Sequence, residues 1–476
     1  MKRNVLISSL ICLCCLSACG NIVNNDGYVY EELVNYTDSG TLKFDANNNV
    51  VFENVEINFR TICDSDDAKG LQAITEKFNQ EYQGKIKVNF AREGQGSFYK
   101  TLSQQISQDS GVPDLAMFHN QNLVSMQFSH MFQPIDRIFE MANIDFDIND
   151  YYEGTTKNCF LGEHQYGLPI DAHTEIIIYR KDLLKKYNLD VPANFYDFVD
   201  AATMIQNGER KLIPAFNGIA MSTESFGTTQ YAFYSALFQN GFEFCNEETY
   251  MPEWENESNK TALKNACELF KGFYYGDGKL AKPGTEELSS EREFASGETA
   301  FSLIYPWKLS SISSTYVAAN ESKGATYDDI GVMPLSKLFT LDDTTEYSDD
   351  LFGISHCFAV PKTIIDVNKK AAAMFFAKYI SEKSVEWTSY GHVPMNKDLY
   401  ASDEFKNAEY TQKYLQYYGE AEDYRNFPST PFYTACNDAL QQIIVEVLGE
   451  EESDIDSIIS QYSQQVISRI NSQIAF

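Results

Sequence analysis

Residues 166–200 constrain the fold more than any other part of this sequence. Leu168-Pro169 interrupts whatever element precedes it, because proline fixes φ, lacks a backbone N–H and pushes the residue before it into extended geometry. Residues 174–179 are almost continuously apolar and β-branched, which predicts a strand covered on both faces. Two helices follow, and the second is predicted to be capped by Asn194 and to carry its apolar residues on one face. The pattern indicates a chain crossing from one lobe to another. We expect a ligand at the polar loop 171–173, between the break and the strand.

A regular alternation of strands and helices begins at Val55. Its elements are a strand at 55–59, a helix over 71–82, a strand at 86–90, a helix over 98–106 and a strand at 115–118. This order predicts an α/β fold with a largely parallel sheet. Ligands collect at the carboxyl ends of the strands in such sheets, which here are the loops at 63–67 and 119–122.

The second half of the chain continues the mixed pattern. Apolar periodicity predicts helices near 225–241, 260–275, 369–380, 440–448 and 455–470, and strands at 299–304 and 358–360. Residues 327–334 and 391–394 are predicted as two further crossings. Near the start, residues 45–49 half match a calcium-binding loop. Val50 stands where that loop requires glycine, and the alternation on both sides favours a hairpin turn.

The length of 476 residues predicts two or three domains, because single hydrophobic cores stop growing at about 250–300 residues. The formal net charge of −31 argues against nucleic acid or an anionic membrane surface as a partner, since either would require a basic footprint.

The N-terminus has the features of an export signal. Lys2 and Arg3 precede an apolar run too short to span a bilayer, and the run ends in Leu16-Ser17-Ala18-Cys19. That tetrapeptide resembles the lipobox of bacterial lipoproteins, which implies cleavage before Cys19 and a diacylglycerol on its sulfur. Two acyl chains suffice for stable anchoring. An ordinary signal peptide is the alternative. Residues 20–50 are predicted as a tether and the start of the first lobe.

Six of the ten cysteines lie in the body of the chain and are widely scattered. We assign them no disulfide and expect buried thiols. Cysteine and histidine spacings predict no metal site, and we expect no cofactor. The sequence also lacks a G-x-S-x-G elbow, an H-E-x-x-H pair and a P-loop.

Four segments together resemble the family 1 extracellular solute-binding proteins of ABC importers, the group that includes maltose-binding protein. They are Gly111–Asp114, Leu168-Pro169 with Ile178–Leu183, Phe294-x-x-Gly297-x-x-Ala300-Phe301 with Trp307, and Gly391-x-x-Pro394. The resemblance covers the chain from about residue 55 onward. It implies two α/β lobes joined by a hinge, with an interlobe cleft. The first lobe would hold residues 51–168 and 334–380, and the second residues 169–333 and 381–476.

The resemblance also implies a function. The chain would capture a carbohydrate, an oligosaccharide in the leading hypothesis, and deliver it to the transmembrane subunits of an ABC permease without chemical change. We expect a monomer held by its N-terminal lipid on the extracytoplasmic face of the cell membrane.

Aromatic residues head the predicted contacts. Trp307 follows a strand and a proline, and its flat face suits the C–H face of a sugar. Tyr305 lies beside it, and Tyr433 matches another aromatic cleft position of the family. His173 matches a polar ligand-contacting position after the first hinge, and Asp171 shares its loop. Each has a structural alternative, since buried aromatic and histidine residues commonly serve packing alone.

The first lobe supplies the remaining predicted contacts, which are Phe118, His119, Asn120 and Asp66. Asn and Asp side chains bind paired hydroxyl groups, although Asp66 would also serve as a helix cap. A tryptophan expected among the first-lobe contacts is replaced by Phe118, which leaves the particular sugar open.

Two alternatives stay open. The same fold could bind a polyamine, an organic acid or a metal chelate, and an acidic cleft would suit a cation. The chain could also be a surface glycoside hydrolase, since paired carboxylates are available among its 68 acidic residues.

Overall fold

The computed structural model describes residues 23–24, 27–28, 36–63, 66–222, 229–246, 249–276, 278–283, 287–428 and 430–474. The predicted export signal, Cys19 and most of the tether lie outside these residues. Asp66 begins a helix, but its side chain is outside the description.

The strands that build the two lobes and their connections are labelled in chain order. They are β1 Val55–Thr61, β2 Ile86–Arg92, β3 Leu115–His119, β4 Leu168–Pro169, β5 Asp171–Ala172, β6 Ile176–Arg180, β7 Asn217–Ala220, β8 Thr299–Ile304, β9 Ile330–Met333, β10 Leu351–Phe352, β11 His356–Ala359, β12 Val393–Pro394 and β13 Tyr424–Arg425. Shorter hairpins pair Val23–Asn24 with Gly27–Tyr28, Lys43–Phe44 with Val50–Val51 and Phe160–Leu161 with His164–Gln165.

The α-helices of the described residues are labelled in the same way. They are α1 Asp66–Glu81, α2 Gln95–Gln108, α3 Leu123–Gln127, α4 Ile135–Ala142, α5 Glu153–Thr156, α6 Lys181–Tyr187, α7 Phe195–Glu209, α8 Gln230–Gln239, α9 Glu257–Tyr275, α10 Glu287–Ser296, α11 Leu309–Ala319, α12 Val367–Lys383, α13 Val385–Thr388, α14 Lys397–Ala401, α15 Asp403–Asn407, α16 Glu409–Lys413, α17 Tyr433–Gly449 and α18 Ile455–Ile474.

The first sheet has the strand order β4–β11–β3–β1–β2. β1 runs parallel to β2 and β3, as the alternation of strands and helices predicted. β11 runs antiparallel to β3, and β4 antiparallel to β11. The sheet is therefore mixed, and the expectation of a largely parallel sheet is wrong for its outer half. These two strands come from segments that cross between lobes, so no βαβ connection fixes their direction.

The second sheet has the order β7–β8–β6–β9. Only β7 and β8 pair in parallel, while β6 runs antiparallel to both β8 and β9. β6 is the apolar strand predicted after the first break, and Ile176 to Tyr179 are buried, as expected for a strand covered on both faces. β8 occupies the predicted residues 299–304, and every residue in it is buried.

Each sheet carries an aromatic core. In the first lobe, Phe59 is fully buried and its ring lies 5.5 to 5.7 Å from those of Phe90, Phe358 and Phe376. Phe376 belongs to α12, which covers this sheet. In the second lobe, Phe198 of α7 packs against Phe301 of β8 with ring centroids 5.1 Å apart. These contacts follow from the apolar spacing of α7 and α12, which was recognisable in the sequence.

Local predictions at turns and caps are also confirmed. Asn194 caps α7, because its side chain accepts a hydrogen bond of 3.0 Å from the backbone N–H of Asp197. The turn at 45–49 joins two antiparallel strands, and Asp45 Oδ1 accepts from the backbone N–H groups of Asn47 and Asn49 at 2.8 and 2.9 Å. These bonds are those of a hairpin turn closed by its own aspartate.

The chain passes between the two sheets at three places that lie side by side. β5 pairs antiparallel with β12, so the first and third crossings touch at the predicted positions. His173 and Ile354 exchange backbone hydrogen bonds of 2.9 Å in both directions, which places the second crossing at residues 353–355. The predicted second crossing at 327–334 instead holds β9 at the edge of the second sheet. Residues 330–334 are an apolar run that ends in proline. The proline at 334 ends an edge strand and does not mark a crossing.

The lobe boundaries inferred from the resemblance stay a prediction. Contacts of the segment after β9 bear on the boundary at residue 334. Phe339 packs against Phe270 of α9 at 5.1 Å, and Phe352 packs against Tyr234 of α8 at 4.9 Å, both beside the second sheet. α13 packs beside α1 of the first lobe. Phe339 and Phe352 thus pack with helices of the second lobe, and α13 packs with a helix of the first.

Candidate functional site

Four of the six histidines in the chain meet at the three crossings. His119 ends β3, His173 follows β5, His356 begins β11 and His392 precedes β12. The ring centroid of His356 lies 4.8 Å from those of both His119 and His173, and that of His392 lies 5.0 Å from His173. We call these four side chains, together with Asp171, the histidine cluster. It lies at the carboxyl end of β3, the edge where the sequence predicted a ligand.

The carboxylate of Asp171 is the centre of the histidine cluster. It is fully buried, and its Oδ1 accepts a hydrogen bond of 2.7 Å from the backbone N–H of His356. Its Oδ2 accepts from Trp387 Nε1 at 2.6 Å and lies 2.9 Å from His356 Nδ1 and 3.2 Å from His392 Nδ1. Burial by itself would raise the pKa of Asp171, but the neighbouring histidines outweigh it and hold that pKa well below its usual range. Asp171 is therefore a buried carboxylate anion.

His392 is the histidine of the cluster whose protonated form its surroundings favour. Its Nδ1 faces Asp171, its Nε2 lies 3.5 Å from Asp67 Oδ2, and its ring stacks on Trp387 at 4.1 Å with an interplanar angle of 3°. Burial lowers the pKa of His392, but the charges of Asp171 and Asp67 and the contact with Asp67 raise it above the usual value overall. Burial raises and His392 lowers the pKa of Asp67, which ends below its usual value. The indole face of Trp387 adds a favourable cation–π contact.

Two further histidines of the cluster, His173 and His119, are held neutral. Burial lowers the pKa of His173 to about 4, and the nearby His356 and His392 act in the same direction. Burial and the same neighbours place the pKa of His119 well below its usual range. His119 Nδ1 lies 3.2 Å from the hydroxyl of Tyr99, within hydrogen-bond distance. A neutral imidazole can donate a hydrogen bond from one nitrogen and accept one at the other. His173 and His119 can therefore each act as donor or acceptor toward a polar ligand.

An aromatic pair lies beside the histidine cluster. β8 ends at Ile304, and a one-turn 3-10 helix at Pro306–Lys308 places Tyr305 and Trp307 with ring centroids 4.6 Å apart and an angle of 6° between their planes. Tyr231 packs edge-on against Tyr305 at 5.5 Å, and Trp307 meets the edge of His173 at 5.6 Å. Tyr305 is buried and Trp307 is partly exposed. We call Tyr305 and Trp307 the aromatic platform.

The third crossing is fitted closely to the turn that carries the platform. Gly391 has φ of +87°, and a Cβ built on it would lie 2.5 Å from Cβ of Pro306. Any larger residue would both strain the backbone and collide with Pro306. This close approach explains why glycine stands in the motif at 391–394, and it couples the platform to the hinge.

The structure brings five of the predicted site residues together, namely Trp307, Tyr305, His173, Asp171 and His119. The other described ones lie elsewhere. Phe118 is fully buried and stacks on Phe132 at 5.3 Å, because alternation along β3 points it away from His119. Asn120 is also buried and donates to the carbonyl of Thr155 at 2.7 Å. Tyr433 is buried against Phe244 at 5.7 Å. A role for these three in ligand contact stays a prediction.

Sequence reasoning missed His356, His392 and Trp387, all of which touch Asp171. A usable signal was present for one of them, since His392 belongs to the motif read as the third crossing and His173 follows the first. Two histidines at two predicted crossings of one hinge should have suggested that they meet. The sequence carried no such signal for Trp387, which lies 216 residues from Asp171 and shares no motif with it.

The described cysteines Cys63, Cys159, Cys245, Cys267, Cys357 and Cys436 are buried thiols with no disulfide among them. This agrees with the expectation from the sequence. Cys63 adjoins the histidine cluster, with its Sγ 3.7 Å from His356 Nε2. Among the helices that the structure describes, none combines the length and the apolar composition needed to cross a bilayer.

Fold and site together define a two-lobe α/β protein with its polar and aromatic residues gathered where the chain crosses between lobes. The sequence profile of the family described as "Bacterial extracellular solute-binding protein" matches residues 64–386, more than half of the chain. The chain belongs to this family. The resemblance inferred from its motifs is thereby confirmed.

One curated relative is the sn-glycerol-3-phosphate-binding periplasmic protein UgpB of Shigella dysenteriae. It is 21% identical over an alignment of 254 positions that covers 48% of this chain and 56% of that protein. The chain therefore spans about half the length of the curated relatives it matches.

Solved structures of similar fold cover more of the chain. The GacH receptor of Streptomyces glaucescens, determined unliganded and with acarbose, has a TM-score of 0.66 at 17% identity and covers 86% of this chain and 97% of its own. The cyclic α-maltosyl-1,6-maltose binding protein of Arthrobacter globiformis has a TM-score of 0.67 at 16% identity and covers 88% of this chain and 99% of its own. At such identities these similarities establish the two-lobe fold.

Proposed function

We propose that this chain is the carbohydrate receptor of an ABC importer, capturing an oligosaccharide between its lobes and delivering it to the permease. The observation that carries the proposal is the aromatic platform, with Tyr305 and Trp307 stacked 4.6 Å apart beside the first and third crossings. A partly exposed tryptophan held flat by a buried tyrosine offers a rigid apolar face. Such a face suits the C–H face of a sugar ring and loses little side-chain entropy on binding.

Polar groups next to the platform support the same assignment. A sugar on Trp307 would lie beside the neutral imidazoles of His173 and His119, which can donate to or accept from hydroxyl groups. Asp171 would act chiefly by orienting His356, whose ring packs against both of these histidines, because both of the Asp171 oxygens already accept hydrogen bonds. Asn120, Phe118, Tyr433 and Asp66 remain proposed contacts. Asn120, Phe118 and Tyr433 are buried, so a ligand could contact them only after the lobes have separated. The lobes would then close around the ligand by a hinge motion.

The similar proteins support a carbohydrate in preference to other solutes. GacH was determined with acarbose, and the Arthrobacter protein is described as binding cyclic α-maltosyl-1,6-maltose. We transfer only the chemical class, an oligosaccharide, to this chain. We place the protein on the extracytoplasmic face as a non-catalytic monomer, anchored through a lipid on Cys19.

A ligand screen tests the proposal. The chain is expressed without its first 35 residues, and thermal stability is measured with a panel of linear and cyclic glucans and other oligosaccharides. We expect at least one glycan to raise the melting temperature and to bind with a dissociation constant of about 1 μM. Spermidine, citrate and glycerol 3-phosphate form the second arm. Stabilisation in that arm alone would overturn the carbohydrate assignment, as would no response to any glycan.

Variants then locate the site. Trp307→Ala should weaken glycan binding by about 1–3 kcal/mol, or roughly 5- to 150-fold in dissociation constant. Trp254→Phe is the matched control. Trp254 is buried in the second lobe, where its Nε1 donates to the carbonyl of Phe244 at 2.7 Å. Equal losses in both variants would exclude the platform as the binding surface. Release of smaller sugars from the bound glycan would show an enzyme instead of a receptor.

A further inference from the structure

We propose that the histidine cluster binds a divalent transition-metal ion of the Zn²⁺ class through His173, His356, His392 and Asp171. Each of these residues offers one ligand atom, and the four atoms lie within 4.8 Å of one another. No local pattern of residues indicates such a site, because its ligands are separated by up to 221 positions, counted from Asp171 to His392.

The distances are close to those of a metal site. Nδ1 atoms of three imidazoles surround the Asp171 carboxylate at 2.9 Å for His356, 3.2 Å for His392 and 3.9 Å for His173. Ligand atoms bound to Zn²⁺ at about 2.0–2.2 Å in a tetrahedron are roughly 3.3–3.6 Å apart. Small rotations of the side chains therefore suffice to close the cluster around an ion.

The donor set selects the class of ion. Three imidazoles and one carboxylate suit Zn²⁺ and similar ions such as Co²⁺ and Ni²⁺, whereas Ca²⁺ and Mg²⁺ require a shell of oxygen atoms. A bound ion would displace the protons on the ligand nitrogens, namely the one that His356 Nδ1 shares with Asp171 and the extra proton of protonated His392, and these protons would pass to solvent.

A second observation is independent of the distances. His173, His392 and Asp171 are 2%, 0% and 0% exposed. Nonetheless His173 Nδ1 and both ring nitrogens of His392 have no hydrogen-bond partner of good geometry among the described residues. Leaving buried polar atoms without a partner costs about 1–3 kcal/mol each. Coordination to an ion would satisfy a nitrogen on each of these two histidines.

The surroundings also match those of metal sites. Trp387 Nε1 and the backbone N–H of His356 fix the two oxygens of Asp171 from outside the cluster. Hydrogen bonds of this kind orient the ligands of natural metal sites. The ligands come from all three crossings, so an ion would tie the hinge segments together. Because the ligands are buried, the ion would enter when the lobes separate.

Metal analysis of the untagged chain tests the proposal. The protein is stripped with EDTA, dialysed against ZnCl₂ or CoCl₂ and analysed for metal content, visible Co²⁺ absorption and melting temperature. We expect one Zn²⁺ per chain, a tetrahedral Co²⁺ spectrum that Zn²⁺ abolishes, and a higher melting temperature with either ion. His392→Gln and His173→Gln should each lose the bound ion and the spectrum.

Two further variants make the result specific. His164→Gln is the matched control, because His164 lies outside the cluster, 2.6 Å from Asp136, and should leave metal content unchanged. Trp387→Phe keeps all four ligands but removes the hydrogen bond to Asp171, and should weaken Zn²⁺ binding about 10- to 100-fold.

The proposal fails if the parent chain retains no Zn²⁺ and gives no Co²⁺ spectrum. This outcome does not depend on whether any variant folds, because only the parent chain is measured. It also fails if His392→Gln and His173→Gln, shown by circular dichroism to be folded, bind as much metal as the parent. Neither outcome depends on glycan binding, so the proposed receptor function is tested separately.

Discussion

The hydrogen bond from Trp387 to Asp171 should contribute more to stability than a comparable bond to a neutral group. Trp387 is 3% exposed, and its Nε1 donates to the carboxylate at 2.6 Å. Trp254 is 1% exposed and makes the equivalent bond of 2.7 Å to a backbone carbonyl. Replacing each by phenylalanine removes the same atoms and takes the indole donor away from one buried acceptor. The difference between the two variants therefore reports the charge of Asp171 and of its neighbour His392.

The magnitude follows from typical net energies of hydrogen bonds. Bonds to charged groups contribute about 1.5–3 kcal/mol and bonds between neutral groups about 0.5–1.5 kcal/mol. Trp387→Phe should thus lower the free energy of unfolding by about 1–1.5 kcal/mol more than Trp254→Phe does. The stack of His392 on Trp387 adds to the difference, because indole is the best aromatic partner for a cation.

Urea unfolding followed by far-ultraviolet circular dichroism measures the difference. The experiment is run with EDTA present, so that metal binding does not contribute. The pKa of Asp171 is depressed in the folded chain, so its contribution is present above the pKa of an unfolded aspartate and is lost only as the pH falls below that range. The difference between the variants should therefore not decrease from pH 7 to pH 5, since the raised pKa of His392 keeps its ring protonated at the lower pH. Equal destabilisation by the two substitutions would refute the assignment of Asp171 as a buried anion.

Two further substitutions test the hinge and a titrating surface group. Gly391→Ala should destabilise the protein by about 2–5 kcal/mol, because positive φ and overlap with Pro306 both oppose it. Gly84→Ala is the control, because Gly84 has φ of +75° but a Cβ built on it meets no atom within 4 Å. It should lose only about 1–2 kcal/mol, the cost of the positive φ alone. Equal losses of stability in thermal unfolding of the two variants would disprove the collision between a Cβ at position 391 and Pro306. Burial and the nearby Asp349 raise the pKa of half-buried Asp423 to about 6. Between about pH 4 and 6 the folded state therefore keeps a proton on Asp423 that the unfolded state releases, and the free energy of unfolding falls as the pH rises through this range. Asp423→Asn should accordingly raise stability by about 1 kcal/mol at pH 7.5 and leave it unchanged at pH 4, and a gain that is the same at both pH values would contradict the raised pKa.

Local patterns in the sequence determined much of the secondary structure. The strand at 299–304, the cap at Asn194 and the two final helices follow from periodicity and capping chemistry, which depend on neighbours within a few positions. The first and third crossings were also recognisable, because proline and glycine mark them. Trp307 and His173 could be chosen as site residues for the same reason, since each follows a proline that ends an element.

The tertiary structure alone decided how distant segments meet. The directions of β4 and β11, and the position of the second crossing, depend on which strands find each other across the chain. His356, His392 and Trp387 reach Asp171 only through such pairings, over separations of 185, 221 and 216 positions. Contacts of that range leave no periodic trace in the sequence. The buried charge and the metal site proposed around it therefore became visible only in the folded chain.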